Sequence, residues 1–284
     1  MAPKGAYHRV WMGSHDLKAE KRVCVLAIGG LDPGGGAGIL ADARAIARTG
    51  AFACAVASLL TVQSTSGVRT VTPVPAKEVI AAANEVLRNQ NVRAIKIGAL
   101  GSDENVRKVG ELLAIHKDIP SVVDTVMLPT RGRARLLDES GITVMKDKLL
   151  RRATLVTANA PEAEHLTGLR VTRLGEAEAA TRAIAKLGPK AVLVKGGHLS
   201  GDDAVDLLLV DDELTKLRAK RLKLAAPIHG GGCTLASLIA GRLARGESFD
   251  PSSIKDAVEW AKRKHHDALE SAIDVGGDLR VLVF

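Results

Sequence analysis

Residues 229–237 read HGGGCTLAS, and the chemistry of the chain is expected in this segment. Three adjacent glycines precede an apolar run at residues 235–244 that is predicted to be a helix. The first turn of a helix leaves backbone N–H groups unpaired, and the helix dipole adds about half a positive charge at that end. Because glycines let these N–H groups converge on one anion, the segment predicts a phosphate site.

Cys233 lies in the field of the same helix end. A thiol in this position is expected to ionise below the usual pKa of about 8.5, and to act as a general base or nucleophile beside a phosphoryl group. The other interpretation is a glycine-rich turn followed by a small buried cysteine. This segment alone leaves both interpretations open.

Outward from this segment, apolar runs alternate with helical patterns along the chain. Predicted strand segments lie at residues 23–28, 55–61, 94–100, 121–128, 153–158 and 191–198, and predicted helices at 39–49, 76–89, 103–116 and 250–271. Only 2% of the residues are aromatic, so Ala, Val, Leu and Ile must fill the core, as is typical of a parallel sheet under helices. Residues 204–210 and 214–219 predict an antiparallel hairpin at the sheet's far edge, and residues 279–284 are either a strand or a tail. The alternation predicts an α/β fold with a doubly wound, mostly parallel sheet.

The length and composition predict one domain at residues 23–284, after a loosely ordered N-terminal extension at residues 1–22. The extension carries +3 of the net charge of +8, so the body is only mildly basic. Such a charge suits a small anionic substrate as well as a polyanion, but the scarcity of aromatic side chains argues against stacking on single-stranded nucleic acid.

The cysteine content and the hydropathy pattern predict a cytoplasmic protein. Three cysteines, an odd number without metal-ligand spacing, are typical of a reducing compartment. No apolar run reaches the roughly 18 residues of a membrane span, and residues 1–21 lack the apolar centre of a secretion signal. We therefore expect no membrane partner.

A second glycine-rich loop, LDPGGGAG at residues 31–38, follows the first predicted strand. It again places backbone N–H groups where a ligand can approach a helix N-terminus. Its spacing is neither that of a dinucleotide fingerprint nor that of a P-loop, because no Gly-Lys-Ser/Thr is present. Asp42 follows one turn into the helix, either as a ligand contact or on a solvated face.

Polar residues end several predicted strands, at the edge where open α/β sheets bind ligands. Gln63 offers one donor and one acceptor to the edge of a heteroaromatic ring. Asp124 interrupts an apolar run, which is costly unless the carboxylate is paired or binds a cation such as Mg²⁺. Asn159 and Glu162 lie where the next helix starts. Asn159 is either simply the N-cap of that helix, or it provides, together with Glu162, oxygen ligands near Mg²⁺. Lys195 either contacts a nucleotide phosphate or caps the sheet edge.

Six segments occur in an order that resembles one known family. They are IGGLDPGGGAGILAD (28–42), KIG (96–98), DTVML (124–128), NAPEA (159–163), KGGH (195–198) and HGGGCTL (229–235). From about residue 23 to residue 272, the chain resembles the hydroxymethylpyrimidine/phosphomethylpyrimidine kinases of thiamine biosynthesis, within the ribokinase-like superfamily. The resemblance implies a three-layer α/β/α fold, a homodimer, and the use of ATP with Mg²⁺. It also implies transfer of the γ-phosphoryl group to the hydroxymethyl oxygen and then to the resulting monophosphate.

The resemblance also implies roles for individual residues. It implies catalysis by Cys233, which matches the position of the catalytic aspartate of ribokinase, with the backbone of Gly230, Gly231 and Gly232. The substrate contacts that it implies are Gly30, Asp42, Gln63, Ala99 and Val126. The nucleotide contacts that it implies are Asp124, Asn159, Lys195, Gly197 and Thr234, with Asp124 and Glu162 at the metal.

The chain departs from the family pattern in several places. Gly231 replaces the usual Thr or Ser and so removes a hydroxyl donor to the phosphate, Ala99 replaces a methionine of the pyrimidine pocket, and Leu31 replaces a serine. Residues 129–132 and 274–284 lack the usual loop and C-terminal motifs. These departures leave open a pyridoxal or pyridoxine kinase of the cysteine-containing type, a non-catalytic pyrimidine-binding regulator, and whether both phosphorylation steps are retained.

Overall fold

The computed structural model describes residues 22–132 and 134–284. The extension predicted at residues 1–22 therefore lies, up to residue 21, outside the described residues. Among the described helices, none has the length and apolar character that crossing a membrane requires.

The main sheet contains nine strands in the described part of the chain. They are β1 (Cys24–Leu31), β2 (Phe52–Ser64), β3 (Gly67–Pro73), β4 (Val92–Ile97), β5 (Ser121–Asp124), β6 (Leu155–Asn159), β7 (Ala191–Lys195), β8 (Asp203–Val210) and β9 (Glu213–Lys220). Their order is β3-β2-β1-β4-β5-β6-β7-β8-β9. The strands from β2 to β7 in this order pair in parallel, whereas β3 at one edge and β8 and β9 at the other pair antiparallel. The doubly wound, mostly parallel sheet and its terminal hairpin are confirmed.

Helices cover both faces of this sheet. They are α1 (Gly38–Arg48), α2 (Ala76–Asn89), α3 (Asp103–Ile115), α4 (Glu139–Val144), α5 (Ala160–Thr167), α6 (Leu174–Ala185), α7 (Gly231–Ala244) and α8 (Pro251–Glu270). One apolar core packs α2 to α6 against the sheet, and a second packs α1, α7 and α8 against the opposite face. The three-layer α/β/α arrangement is therefore confirmed.

The apolar runs form this sheet because alternate side chains enter different cores. In β1, Leu26 and Ile28 lie in the first core, whereas Val25 and Ala27 lie in the second. A strand that is buried on both faces requires a continuous apolar run, because successive side chains point to opposite sides.

Several element bounds differ from the sequence predictions. Strands β4 and β5 end at Ile97 and Asp124, so Asp124 stands at the end of its strand rather than inside it. Helix α6 was not predicted, and α7 starts at Gly231, so the glycines themselves form its first turn. Near the C-terminus, β12 (Arg280–Val281) pairs with β10 (Ile228–His229) and with β11 (Ile273–Asp274) in a small second sheet.

Candidate active site

A cavity of about 620 Å³ opens at the carboxyl end of the sheet. It lies where the strand order reverses between β1 and β4, the position at which open α/β sheets bind ligands. The predicted residues that line it are Gly30, Asp42, Gln63, Ala99, Asp124, Val126, Asn159, Glu162, Lys195, Gly197, Gly230, Gly231, Gly232 and Cys233. The fold therefore brings nearly the whole predicted set to one place.

Thr234 is the exception. Its side chain is buried at 1% exposure and does not line the cavity. Because α7 begins at Gly231, the N–H of Thr234 already donates to the Gly230 carbonyl, at 3.0 Å. The nucleotide contact of Thr234 stays a prediction that the position of its side chain does not favour.

The first turn of α7 forms an anion hole in the cavity wall. Gly230 is its N-cap, with φ at 77°, and no side chain caps the helix. A Cβ on Gly230 would lie 2.1 Å from the Gly36 carbonyl oxygen, so this close crossing of the two loops requires glycine. The N–H groups of Gly231, Gly232 and Cys233 have no intrahelical acceptor and remain available to a ligand.

A buried hydrogen bond that no motif predicted ties the two glycine-rich loops together. His229 Nε2 lies 2.8 Å from Asp32 Oδ2, and both side chains are buried. The Asp32 carboxylate also accepts the N–H groups of Gly34 and Ala37, each at 2.8 Å. Burial raises the pKa of Asp32, but these partners outweigh it and lower the pKa, so the pair holds the loops in register. Both residues stand in quoted motifs, yet no spacing in the sequence signals their contact.

Cys233 lines the cavity with its side chain partly exposed. Burial raises the pKa of its thiol to about 12, and the Asp124 and Asp42 carboxylates act in the same direction. Lys96 and the Gly38 backbone N–H oppose this shift without overcoming it. This direction is opposite to the lowering expected from the sequence, because burial and the two carboxylates disfavour the thiolate.

Below Cys233, Asp42 forms a closed ion pair with Lys96. Both side chains are fully buried, so the alternative of a solvated face for Asp42 is wrong. Lys96 Nζ lies 2.8 Å from each Asp42 oxygen, and Ser237 Oγ donates to Oδ1, also at 2.8 Å. Burial opposes the charge on Lys96, but the Asp42 carboxylate outweighs it and raises the pKa of the ammonium group. Lys96 lies in the KIG segment at residues 96–98, but neither it nor Ser237 had a predicted role.

On the other side of the anion hole, Lys195 pairs with Asp124. Lys195 Nζ lies 2.8 Å from Asp124 Oδ1 and 3.9 Å from Glu162 Oε2. A Cβ on Gly232 would be 2.9 Å from Lys195 Nζ, so the ammonium group lies directly against the first turn of α7. Burial raises the pKa of Asp124, but Lys195 and Lys96 outweigh it, and the net pKa is lowered.

Glu162 and Asn159 form the capping box of α5. Asn159 Oδ1 accepts the Glu162 N–H, and Glu162 Oε2 accepts the Asn159 N–H, each at 2.8 Å. The N-cap interpretation of Asn159 is confirmed. Burial raises the pKa of Glu162 to about 7, with a further contribution from Asp124. A cation bound beside Glu162 would therefore stabilise the ionised form of its carboxylate.

The two carboxylates fit a phosphate-bound Mg²⁺ better than a protein cage for the metal. Asp124 Oδ2 and Glu162 Oε1 have no hydrogen-bond partner within residues 22–132 and 134–284. Within the same residues, no group of three or more His, Cys, Asp or Glu side chains has metal-binding geometry. Mg²⁺ usually keeps several waters and takes one or two carboxylates together with substrate phosphates, which matches this donor set.

The opposite wall of the cavity is apolar. Leu59, Ala99 and Leu136 form a buried cluster against which Val126 packs. Gly30 is close to this cluster, since a Cβ there would meet Leu59 at 2.8 Å. Gln63 lines the same cavity from β2. A flat heteroaromatic ring with one polar edge suits this wall.

Comparisons with known proteins agree with this geometry. Residues 32–281 match the family model described as phosphomethylpyrimidine kinase. The hydroxymethylpyrimidine/phosphomethylpyrimidine kinase of Streptomyces coelicolor is 40% identical over 255 residues, which are 90% of this chain and 91% of that protein.

Two solved structures share the fold. The phosphomethylpyrimidine kinase of Clostridium difficile 630 is 32% identical, with a TM-score of 0.74, over 87% of this chain and 100% of that chain. The pyridoxal kinase of Staphylococcus aureus, solved with AMP-PCP and pyridoxal, is 27% identical, with a TM-score of 0.82, over 92% and 93% of the two chains. The ribokinase-like fold that the resemblance implies is confirmed.

Proposed function

The chain belongs to the phosphomethylpyrimidine kinase family, and we propose that it transfers the γ-phosphoryl group of ATP to a hydroxymethylpyrimidine and then to its monophosphate, in thiamine biosynthesis. One observation carries this proposal. A single cavity joins an anion hole, a lysine ammonium group and an apolar wall, with Cys233 also in its lining. We also retain as proposals a single domain, a homodimer and a cytoplasmic location.

The phosphoryl group is held by the first turn of α7. The N–H groups of Gly231, Gly232 and Cys233 face it, and Lys195 supplies a positive charge against Gly232. Phosphoryl transfer depends mainly on positioning and on stabilising negative charge, which these groups provide. Mg²⁺, held by Asp124 and Glu162, would neutralise charge on the phosphate oxygens. The nucleotide contacts of Asn159 and Gly197 remain proposals.

The acceptor alcohol lies between the apolar wall and Cys233. Its ring packs on Leu59, Ala99 and Val126, with Gln63 at its polar edge. Because the pKa of Cys233 is about 12, the side chain is a neutral thiol at neutral pH, and its sulfur orients the hydroxymethyl group. In a loose transition state the bond to the ADP oxygen breaks as the alcohol oxygen bonds phosphorus, and the hydroxyl proton leaves late, to a phosphate oxygen or to water. A thiolate is therefore not needed. Asp42, whose oxygens are both bonded, supports the floor of this site from below.

The test is a steady-state ADP-release assay with ATP, Mg²⁺ and 4-amino-5-hydroxymethyl-2-methylpyrimidine, with products identified by mass spectrometry. We expect turnover and both the monophosphate and the diphosphate. Pyridoxal is the parallel substrate, because Ala99 widens the ring pocket, and we expect a lower kcat/KM for it. Binding of the pyrimidine without ADP release would instead identify a regulatory protein and refute the proposal.

A further inference from the structure

One more side chain reaches the anion hole, from α8. His265 lines the cavity beside Gly231 and Gly232. A Cβ built on Gly231 would stand 3.6 Å from His265 Nε2. The imidazole therefore lies close to the first turn of α7, on the wall of the same cavity.

This nitrogen has no well-formed hydrogen bond within the described residues, although the Gly231 backbone lies close to the ring. In the part of the chain that the structure describes, only three buried side-chain polar atoms make no hydrogen bond: Asn105 Oδ1, His229 Nδ1 and His265 Nε2. A buried polar atom without a partner costs about 1–3 kcal/mol, so such an atom in a ligand cavity calls for an explanation. A ligand oxygen above Gly231 would complete the hydrogen bonding of Nε2.

The surroundings keep the ring neutral. Burial lowers the pKa of His265 to about 4, and Lys262 and Lys195 act in the same direction, while the Asp206 carboxylate and the Gly231 backbone oppose it. A neutral imidazole carries one N–H donor and one acceptor nitrogen. Two nearby lysines favour an anion in the same space, and the N–H can donate to that anion.

An ion pair one turn earlier in α8 ties this helix to β8. Lys262 Nζ lies 2.6 Å from Asp206 Oδ2, and Asp206 Oδ1 accepts the Gly196 N–H at 2.7 Å. Residues three apart on a helix share a face, and Lys262 and His265 both line the cavity.

We infer that His265 is a side-chain ligand of the transferring phosphoryl group, to which its Nε2–H donates a hydrogen bond above Gly231. The inference rests on the proposed function, since it assigns one donor of the same anion hole. It places on α8 a donor that α7 cannot supply, because residues 230–232 are all glycine.

The kinetic test uses His265→Ala, with His116→Ala as the matched control. His116 follows α3 and does not line the cavity. We expect His265→Ala to lower kcat about a hundredfold, the usual cost of one lost oxyanion donor, with KM for the pyrimidine unchanged. The control should keep the wild-type kcat, and thermal unfolding should show that both variants fold. An unchanged kcat in His265→Ala would overturn the inference.

Rescue and spectroscopy separate phosphate contact from a structural role. In the double variant His265→Ala/Gly231→Thr, a hydroxyl group enters the space that the ring left, and we expect kcat to recover at least about tenfold. In wild-type protein, AMP-PCP with Mg²⁺ should shift the Nε2 resonance of His265 in a ¹⁵N spectrum and leave that of His116 in place. A loss of kcat without this shift would contradict phosphate contact. If wild-type protein shows no turnover, the proposed function fails, and the Nε2 shift still decides this inference.

Discussion

Two buried lysine–aspartate pairs flank the anion hole, and they differ in what they leave free. Lys96 and Asp42 are both fully buried, and Lys96 bonds both Asp42 oxygens. Lys195 is 12% exposed and bonds a single oxygen of Asp124. Its ammonium group also lies against Gly232, on the cavity wall.

This difference indicates that the first pair stabilises the fold and that the second pair acts on the ligand. The closed pair is fully buried, with both Asp42 oxygens bonded by Lys96, and it joins α1 to β4, while Ser237 adds α7. The open pair keeps a cation and a carboxylate oxygen in contact with the cavity. We therefore expect the closed pair to control folding stability and the open pair to control turnover.

The largest expected effect is the loss of the closed pair's cation. Lys96→Met leaves Asp42 as a buried unpaired charge, which should cost about 3–5 kcal/mol of the free energy of unfolding in urea. The double variant Lys96→Met/Asp42→Leu should recover most of that loss, because it removes both charges. A loss below about 1 kcal/mol in the single variant would show that this pair does not control folding stability.

Loss of the cation of the open pair should lower kcat more than it lowers the free energy of unfolding. Lys195→Met removes the positive charge beside the phosphoryl group, so kcat should fall about 10²- to 10³-fold. The free energy of unfolding should fall less than in Lys96→Met, because water in the cavity can solvate Asp124. If Lys195→Met lowered the free energy of unfolding as much as Lys96→Met and kept the wild-type kcat, the open pair would be a stabilising pair and not part of the active site.

A methyl group added at Gly232 tests whether the position of the Lys195 ammonium group matters for turnover. Gly232→Ala places a Cβ 2.9 Å from Lys195 Nζ and displaces the ammonium group from the anion hole. We expect kcat to fall about tenfold or more, since the positioning of charge is what this site supplies. The matched control is Gly175→Ala in α6, where a Cβ meets nothing within 4 Å, and it should leave kcat unchanged. Equal kcat values in the two variants would argue against the role of Lys195.

The smallest effect concerns Glu162 and pH. Its folded pKa of about 7 lies above the usual value of 4.5, so the folded chain binds more protons between these pH values. The contribution of this group to stability is therefore present at low pH and declines as the pH rises toward 7. Glu162→Gln should match the Tm of the wild type near pH 4.5 and exceed it by about 2–4 °C at pH 8. A lower Tm for the variant at pH 8 would contradict the raised pKa.

The sequence predicted the sheet well because each apolar run and each glycine-rich loop is a local signal. It misjudged the start of α7 because glycine is a poor helix former, and only packing between the two glycine-rich loops places Gly231 and Gly232 in a helix. The missed contacts join distant positions: Asp32 with His229, and Asp42 with Lys96. The pKa of Cys233 was misjudged because burial depends on those distant neighbours, which no spacing in the chain reveals.

A crystal structure with AMP-PCP, Mg²⁺ and the pyrimidine alcohol would show whether the first turn of α7 holds the phosphoryl group. We predict γ-phosphate oxygens about 3 Å from the backbone nitrogens of Gly232 and Cys233 and from Lys195 Nζ. Lys96 should remain paired with Asp42 and contact neither ligand. A γ-phosphate bound away from the first turn of α7, or one that draws Lys96 out of its pair, would contradict the account.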